Sequence, residues 1–74
     1  MTFETLQYIH RLLTLEAETT KRIYTRKRDY LIELKEANAP KEDREIAREN
    51  LETADRIYAK ALRALTEFEE HEWR

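Results

Sequence analysis

The sequence contains no glycine, no cysteine, and, read residue by residue, no serine and no valine. Each absence removes a class of structure. Without glycine there is no easy residue for positive φ, so tight hairpin turns and glycine-rich phosphate-binding loops are largely excluded. Without cysteine there is no disulfide framework and no thiolate chemistry. The missing valine and scarce strand formers argue against a sheet. Proline occurs once, at Pro40. No apolar run approaches the roughly 18 residues of a membrane span. The segment "MTFETLQYIHRLL" lacks a basic stretch followed by an apolar core, so it does not read as a secretory signal. The expectation is a cytoplasmic protein with no membrane association.

Alanine, leucine, glutamate, lysine and arginine dominate what remains, as in long helices. Charged residues make up 41% of the 74, enough to raise the question of disorder, but the regular spacing of apolar residues argues against it. Before Pro40, apolar residues recur at Leu6, Ile9, Leu13, Ala17, Ile23/Tyr24, Leu31 and Leu34. After it they recur at Ala47, Leu51, Ala54, Tyr58, Ala61, Leu65 and Phe68. Both series step by three or four, the spacing of one helical face. The reading is helix 1 over about 3–37 with Thr2 as N-cap, a turn at 38–40, and helix 2 over about 41–72. Asn38 is suited to the left-handed conformation that ends a helix where glycine is not available. Pro40 suits the start of the second helix, and Glu42, Asp43 and Glu45 follow near its positive end.

So short a turn makes the helices antiparallel neighbours, each roughly 50 Å long. Residues whose numbers sum to about 79 then lie side by side. Ile9 meets Phe68, Leu13 meets Leu65, Ile23 meets Tyr58, and Leu34 meets Ile46 or Ala47. The fold class is therefore all-α, one antiparallel two-helix hairpin in a single domain spanning residues 1–74.

On a helical wheel, the apolar stripe of helix 2 is roughly 160° wide, whereas a two-helix contact needs only a narrow seam. A 74-residue chain with no disulfide also has little core of its own. Both features predict self-association, most simply two hairpins in a twofold four-helix bundle, through Leu13, Ile23, Lys27, Leu31, Ile57, Leu62, Leu65 and Phe68. The small residues Ala17, Thr20, Ala54 and Ala61 would let helices approach closely near mid-length.

The stretch "KRIYTRKRDY", residues 21–30, holds five cations, and the wheel divides them. Arg22 and Arg26 fall on the outer side with Arg11, but also with Glu4, Glu18, Asp29, Glu33 and Glu36. Lys27 falls in the centre of the apolar stripe, with Glu16 at its edge. A seam lysine must extend to water or pair with an acid. The hairpin register puts it beside Glu52 and Asp55. Across a twofold axis between antiparallel copies of helix 1 it would instead meet Glu16 of the other copy. In helix count and length, a dimer of such hairpins resembles the Rop-type RNA-binding hairpin. The likeness carries no shared motif; the phosphate-contacting alternative rests on Arg11, Arg22 and Arg26, which the wheel puts on one line of the outer face. A formal net charge of −2 leaves only a local patch for nucleic acid.

Chemistry has few places to hide. His10 lies near Glu69 by the register, with Glu70 and His71 within a turn. The Glu-x-x-His pattern of metal-binding bundles is absent, since Gln7 and Phe68 stand three residues before the two histidines. No metal, no other cofactor and no enzymatic activity are expected. The C-terminal "EFEEHEWR" brings Glu69, Glu70 and Trp73 beside Phe3, either as closure of the bundle end or as an aromatic surface offered to a protein partner. The leading functional expectation is a non-enzymatic protein-interaction or scaffolding module, and the alternative is a hairpin dimer that binds RNA or DNA.

Overall fold

The computed structural model describes residues 2–72. It consists of two helices, α1 (Phe3–Glu36) and α2 (Lys41–His71), packed antiparallel along their length. The result is a rod 54 Å long and 13 Å across in Cα extent. Its radius of gyration is 16.5 Å, where a compact chain of this length would have about 11 Å.

Each helix end follows from the residue placed there. Thr2 is extended at φ −75°, ψ 160°, and its Oγ1 accepts the Thr5 backbone N–H at 3.2 Å, capping α1. At the other end Ala37 is the C-cap, so α1 closes at Glu36, one residue earlier than the periodicity suggested. Asn38 takes φ 54°, and is the one described residue with positive φ. The Ala39 N–H donates to Leu34 O at 2.9 Å and the Asn38 N–H to Lys35 O at 3.2 Å. This is the paired-bond stop in which a left-handed residue lets the chain fold back onto the last turn. Pro40 follows as the N-cap of α2, with no side chain able to cap it, and the Arg44 N–H donates to Pro40 O at 3.2 Å. Glu42 and Asp43 sit in the first turn, where the helix dipole favours negative charge. Glu72 caps α2, so that helix ends at His71 rather than at 72.

Between the helices runs a narrow seam. The buried or half-buried residues of α1 include Leu6, His10, Leu13, Ala17, Thr20, Tyr24, Leu31 and Leu34, and those of α2 are Arg44, Ala47, Leu51, Ala54, Tyr58, Ala61, Leu65 and Phe68. Their steps of three and four alternate, which is the seven-residue repeat of a two-stranded coiled coil. His10 stacks on Phe68 with ring centroids 6.1 Å apart, and its Nε2 lies 3.0 Å from Glu69 Oε2, which anchors the expected register. Alanine occupies every seventh position of α2 at 47, 54 and 61, and each of the three is buried. Small side chains there leave room for large ones opposite. By the same register Tyr24 falls against Ala54 and Leu31 against Ala47.

One expectation about the seam changes, and one open alternative is decided. Tyr24, not Ile23, stacks on Tyr58, with centroids 6.0 Å apart, and Ile23 turns outward. Ala47 and the half-buried Arg44 lie on the seam near Leu34, and Ile46 is 58% exposed. Thr20 is buried, and its hydroxyl is satisfied by its own helix, donating to Glu16 O at 2.8 Å with Ala17 O at 3.1 Å. The seam is thus polar at one interior point without an unpaired hydroxyl.

Candidate functional site

The two flanks of the seam differ in chemistry. On one flank a groove of about 630 Å³ opens near the turn, lined by Ile23, Arg26, Lys27 and Tyr30 of α1 and by Asp43, Ile46, Ala47 and Asn50 of α2. The seven-residue repeat carries this flank along the rod. One repeat beyond Asn50 lies Ile57, and one and two repeats before Ile23 lie Glu16 and Ile9. Two repeats before Arg26 lies Leu12. Among these, Ile57 is 52% exposed and Tyr30 50%, both far more than a packed side chain would be. The flank is therefore an aliphatic and aromatic strip, with charges at intervals.

The opposite flank carries Gln7, Thr14, Lys21 and Arg28 of α1 and Arg48, Asp55, Leu62 and Glu69 of α2 by the same repeat. Glu69 is held there by His10. Leu62 is the single large aliphatic among these residues. Ile32, 45% exposed, borders this side beyond Arg28, so the first flank is the more apolar of the two and the second is the more polar.

Of the residues expected to carry self-association, Leu31 and Phe68 are buried within the hairpin and Leu13 and Leu65 are half-buried in its seam. Ile23, Lys27, Ile57 and Leu62 are exposed, with Leu62 on the polar flank. Lys27 has the phase of a seam residue, but its side chain leaves the seam and lines the groove. It makes no ion pair with Glu52 or Asp55 among the described residues. Its length explains this outcome. The alkyl stem covers apolar surface while the ammonium reaches water.

Arg11, Arg22 and Arg26 are all exposed, and none of them enters an ion pair among the described residues. They do not form one site. Arg26 borders the groove, and Arg22 borders a shallower outer depression with Glu18, Lys21 and Thr25. At the far end of the rod Phe3, Glu69 and Glu70 are exposed. Trp73 lies outside the described residues, so its role at that end is not part of this geometry. No group of three His, Asp or Glu side chains converges as a metal site among the described residues. No described helix is long and apolar enough to cross a membrane.

Sequence reasoning offered Ile46 only as a possible neighbour of Leu34 and gave Tyr30 no place in a site. The groove joins Tyr30, one heptad beyond Ile23 on α1, with Ile46 across the seam on α2, a grouping that becomes readable once the seam phase is known.

No protein-family model, no curated protein and no solved structure matches this chain. The functional reading rests on the geometry above.

Proposed function

We propose that this chain is a small non-enzymatic interaction or scaffolding module whose first partner is itself, two hairpins forming a four-helix bundle. One observation carries the reading. No described side chain of the hairpin is fully buried, while Ile23, Tyr30, Ile46 and Ile57 remain exposed on one flank. A hairpin that leaves such a strip in water has gained little from the hydrophobic effect, and covering the strip supplies what it lacks. The outer faces, dense in charge, stay available to a further protein.

Sedimentation over a wide concentration range tests this reading, together with thermal unfolding at several concentrations. The expected result is a dimer whose melting temperature rises with concentration, as binding linked to folding requires. A monomer at every concentration with a concentration-independent melt would end it.

A second reading is supported by three exposed arginines that enter no ion pair among the described residues. A dimer doubles Arg11, Arg22 and Arg26, and exposed guanidinium groups are suited to phosphate even where they do not share one site. A gel shift against mixed RNA and DNA at rising salt separates the two functions. A shift that weakens steeply with salt and is lost on replacing the three arginines supports nucleic-acid binding. No shift at low salt removes it.

A further inference from the structure

We propose that the two copies pair through the Ile23–Ile57 flank about a twofold axis perpendicular to the helices and level with Ile57. Each groove then receives the Leu12–Glu16 turn of the other copy's α1. This arrangement rests on the self-association reading above and adds to it the face, the direction and the register.

The area is of the right size. The chain exposes 6090 Å², while a compact protein of its 9.0 kDa mass would expose about 4,850 Å², an excess of roughly 1,200 Å². A standard interface buries about 800 Å² on each partner. One hairpin pressed along one flank of another accounts for most of the excess. The groove itself is an open trough between helices, shaped for a helix face and not for a small molecule, which would remain largely in water there.

The charges choose the direction. Along the flank, the first half of α1 carries Ile9, Leu12 and the acid Glu16, and the second half carries Ile23, Tyr30, the bases Arg26 and Lys27 and, one repeat beyond Arg26, the acid Glu33, which the antiparallel arrangement sets opposite the uncharged Ile9. A twofold axis across antiparallel copies of α1 lays the first half on the second, and does so twice, because each contact is repeated in reverse. The level follows from the hairpin. Counting equally from His10 and Phe68, which are stacked, Ile57 comes level with Lys21. Glu16 and Arg26 lie at equal distances on either side of that level, as do Thr19 and Ile23, and as do Leu12 and Tyr30. Glu16 of each copy therefore reaches Arg26 and Lys27 of the other, and Leu12 reaches Tyr30. On α2 the same axis sets Ile57 against the partner's Ile57, and Asp43 against the partner's His71. With both turns at the same end of the bundle, Arg26 and Lys27 would instead come level with Asn50 and Thr53 on the same flank of the other copy and meet no acid there, and only Glu16 would face an opposite charge, Lys60.

The chain has no cysteine, so single introduced cysteines report this geometry in the full-length protein. A residue beside a twofold axis approaches its own copy within the short Cβ separation a disulfide requires. Ile57→Cys is expected to oxidise almost completely to a covalent dimer. Leu62→Cys, on the opposite flank, is expected to stay uncrosslinked under the same brief oxidation. Glu16→Lys is expected to weaken dimerisation about tenfold, since the charge contacts on both sides of the axis become repulsive, and combining it with Arg26→Glu and Lys27→Glu should restore it. A dimer that crosslinks through Leu62 and not Ile57, or through both equally, overturns this arrangement and leaves self-association standing. Absence of any dimer by sedimentation overturns both.

Discussion

The His10 imidazole is held at the edge of the hairpin by two neighbours on one turn of α2. Its ring stacks on Phe68, and its Nε2 lies 3.0 Å from Glu69 Oε2. These contacts differ in kind. Phe68 is buried and contributes apolar packing at the open end of the rod, whereas the Glu69 side chain is 47% exposed.

Phe68→Ala is therefore expected to cost about 3 kcal/mol, from lost burial and the cavity left behind. Glu69→Ala should cost less than about 1 kcal/mol, as loss of a solvent-exposed polar contact does. Urea unfolding followed by circular dichroism compares them. Equal losses would mean that the polar contact, and not the ring, holds the end closed.

Ala61 is buried, and by the register it faces the equally buried Ala17. Two small side chains face to face allow close helix approach, and a larger one must push the helices apart. Ala61→Leu should destabilise by about 1–3 kcal/mol through overpacking. For a domain of this size that is a fall in melting temperature of roughly 4–8 °C per kcal/mol. A rise would show that the seam has unfilled space at this level.

Asn38 occupies φ 54°, a region that costs most residues about 1–2 kcal/mol and glycine almost nothing. Asn38→Gly should be neutral or slightly stabilising, and Asn38→Val should lower stability by about 1 kcal/mol or more. Calorimetric melts of the two variants against the parent read the difference. A valine variant as stable as the parent would show that the turn can be made another way.

Lys27 lines the groove with its ammonium unpaired among the described residues. Lys27→Leu should preserve helicity, raise the melting temperature by several degrees through added apolar burial, and shift the sedimentation profile, since a polar residue at such a position helps set register and assembly. Loss of stability with unchanged assembly would refute that role.

Much of the hairpin was legible before any coordinates. Thr2, Asn38 and Pro40 mark the boundaries because their backbone preferences are local and owe nothing to packing. The register was also legible, because a short turn leaves little freedom in how far one helix slides along the other. The contact of His10 with Glu69 is the direct consequence. The residues facing the partner helix were less so. Ile23 and Tyr24 differ by about 100° around the helix, and both are apolar. The wide stripe of α2 likewise includes Ile46, Ile57 and Leu62 alongside the true seam.

The amino-acid sequence alone determined that this chain is two long helices joined at about residues 38–40 and folded back antiparallel, since helix propensity, periodicity and capping are properties of neighbours along the chain. Only the tertiary structure decided the rotation of each helix about its own axis. Alanines at 47, 54 and 61 make the α2 surface low on one line, and large residues of α1 settle onto that line. Tyr24 and Leu31 turn inward, while Ile23, Lys27 and Tyr30 turn out to the flank. Which apolar residues remain exposed depends on complementarity of shape between two surfaces distant in the sequence, and a single helix's periodicity contains no record of the other's.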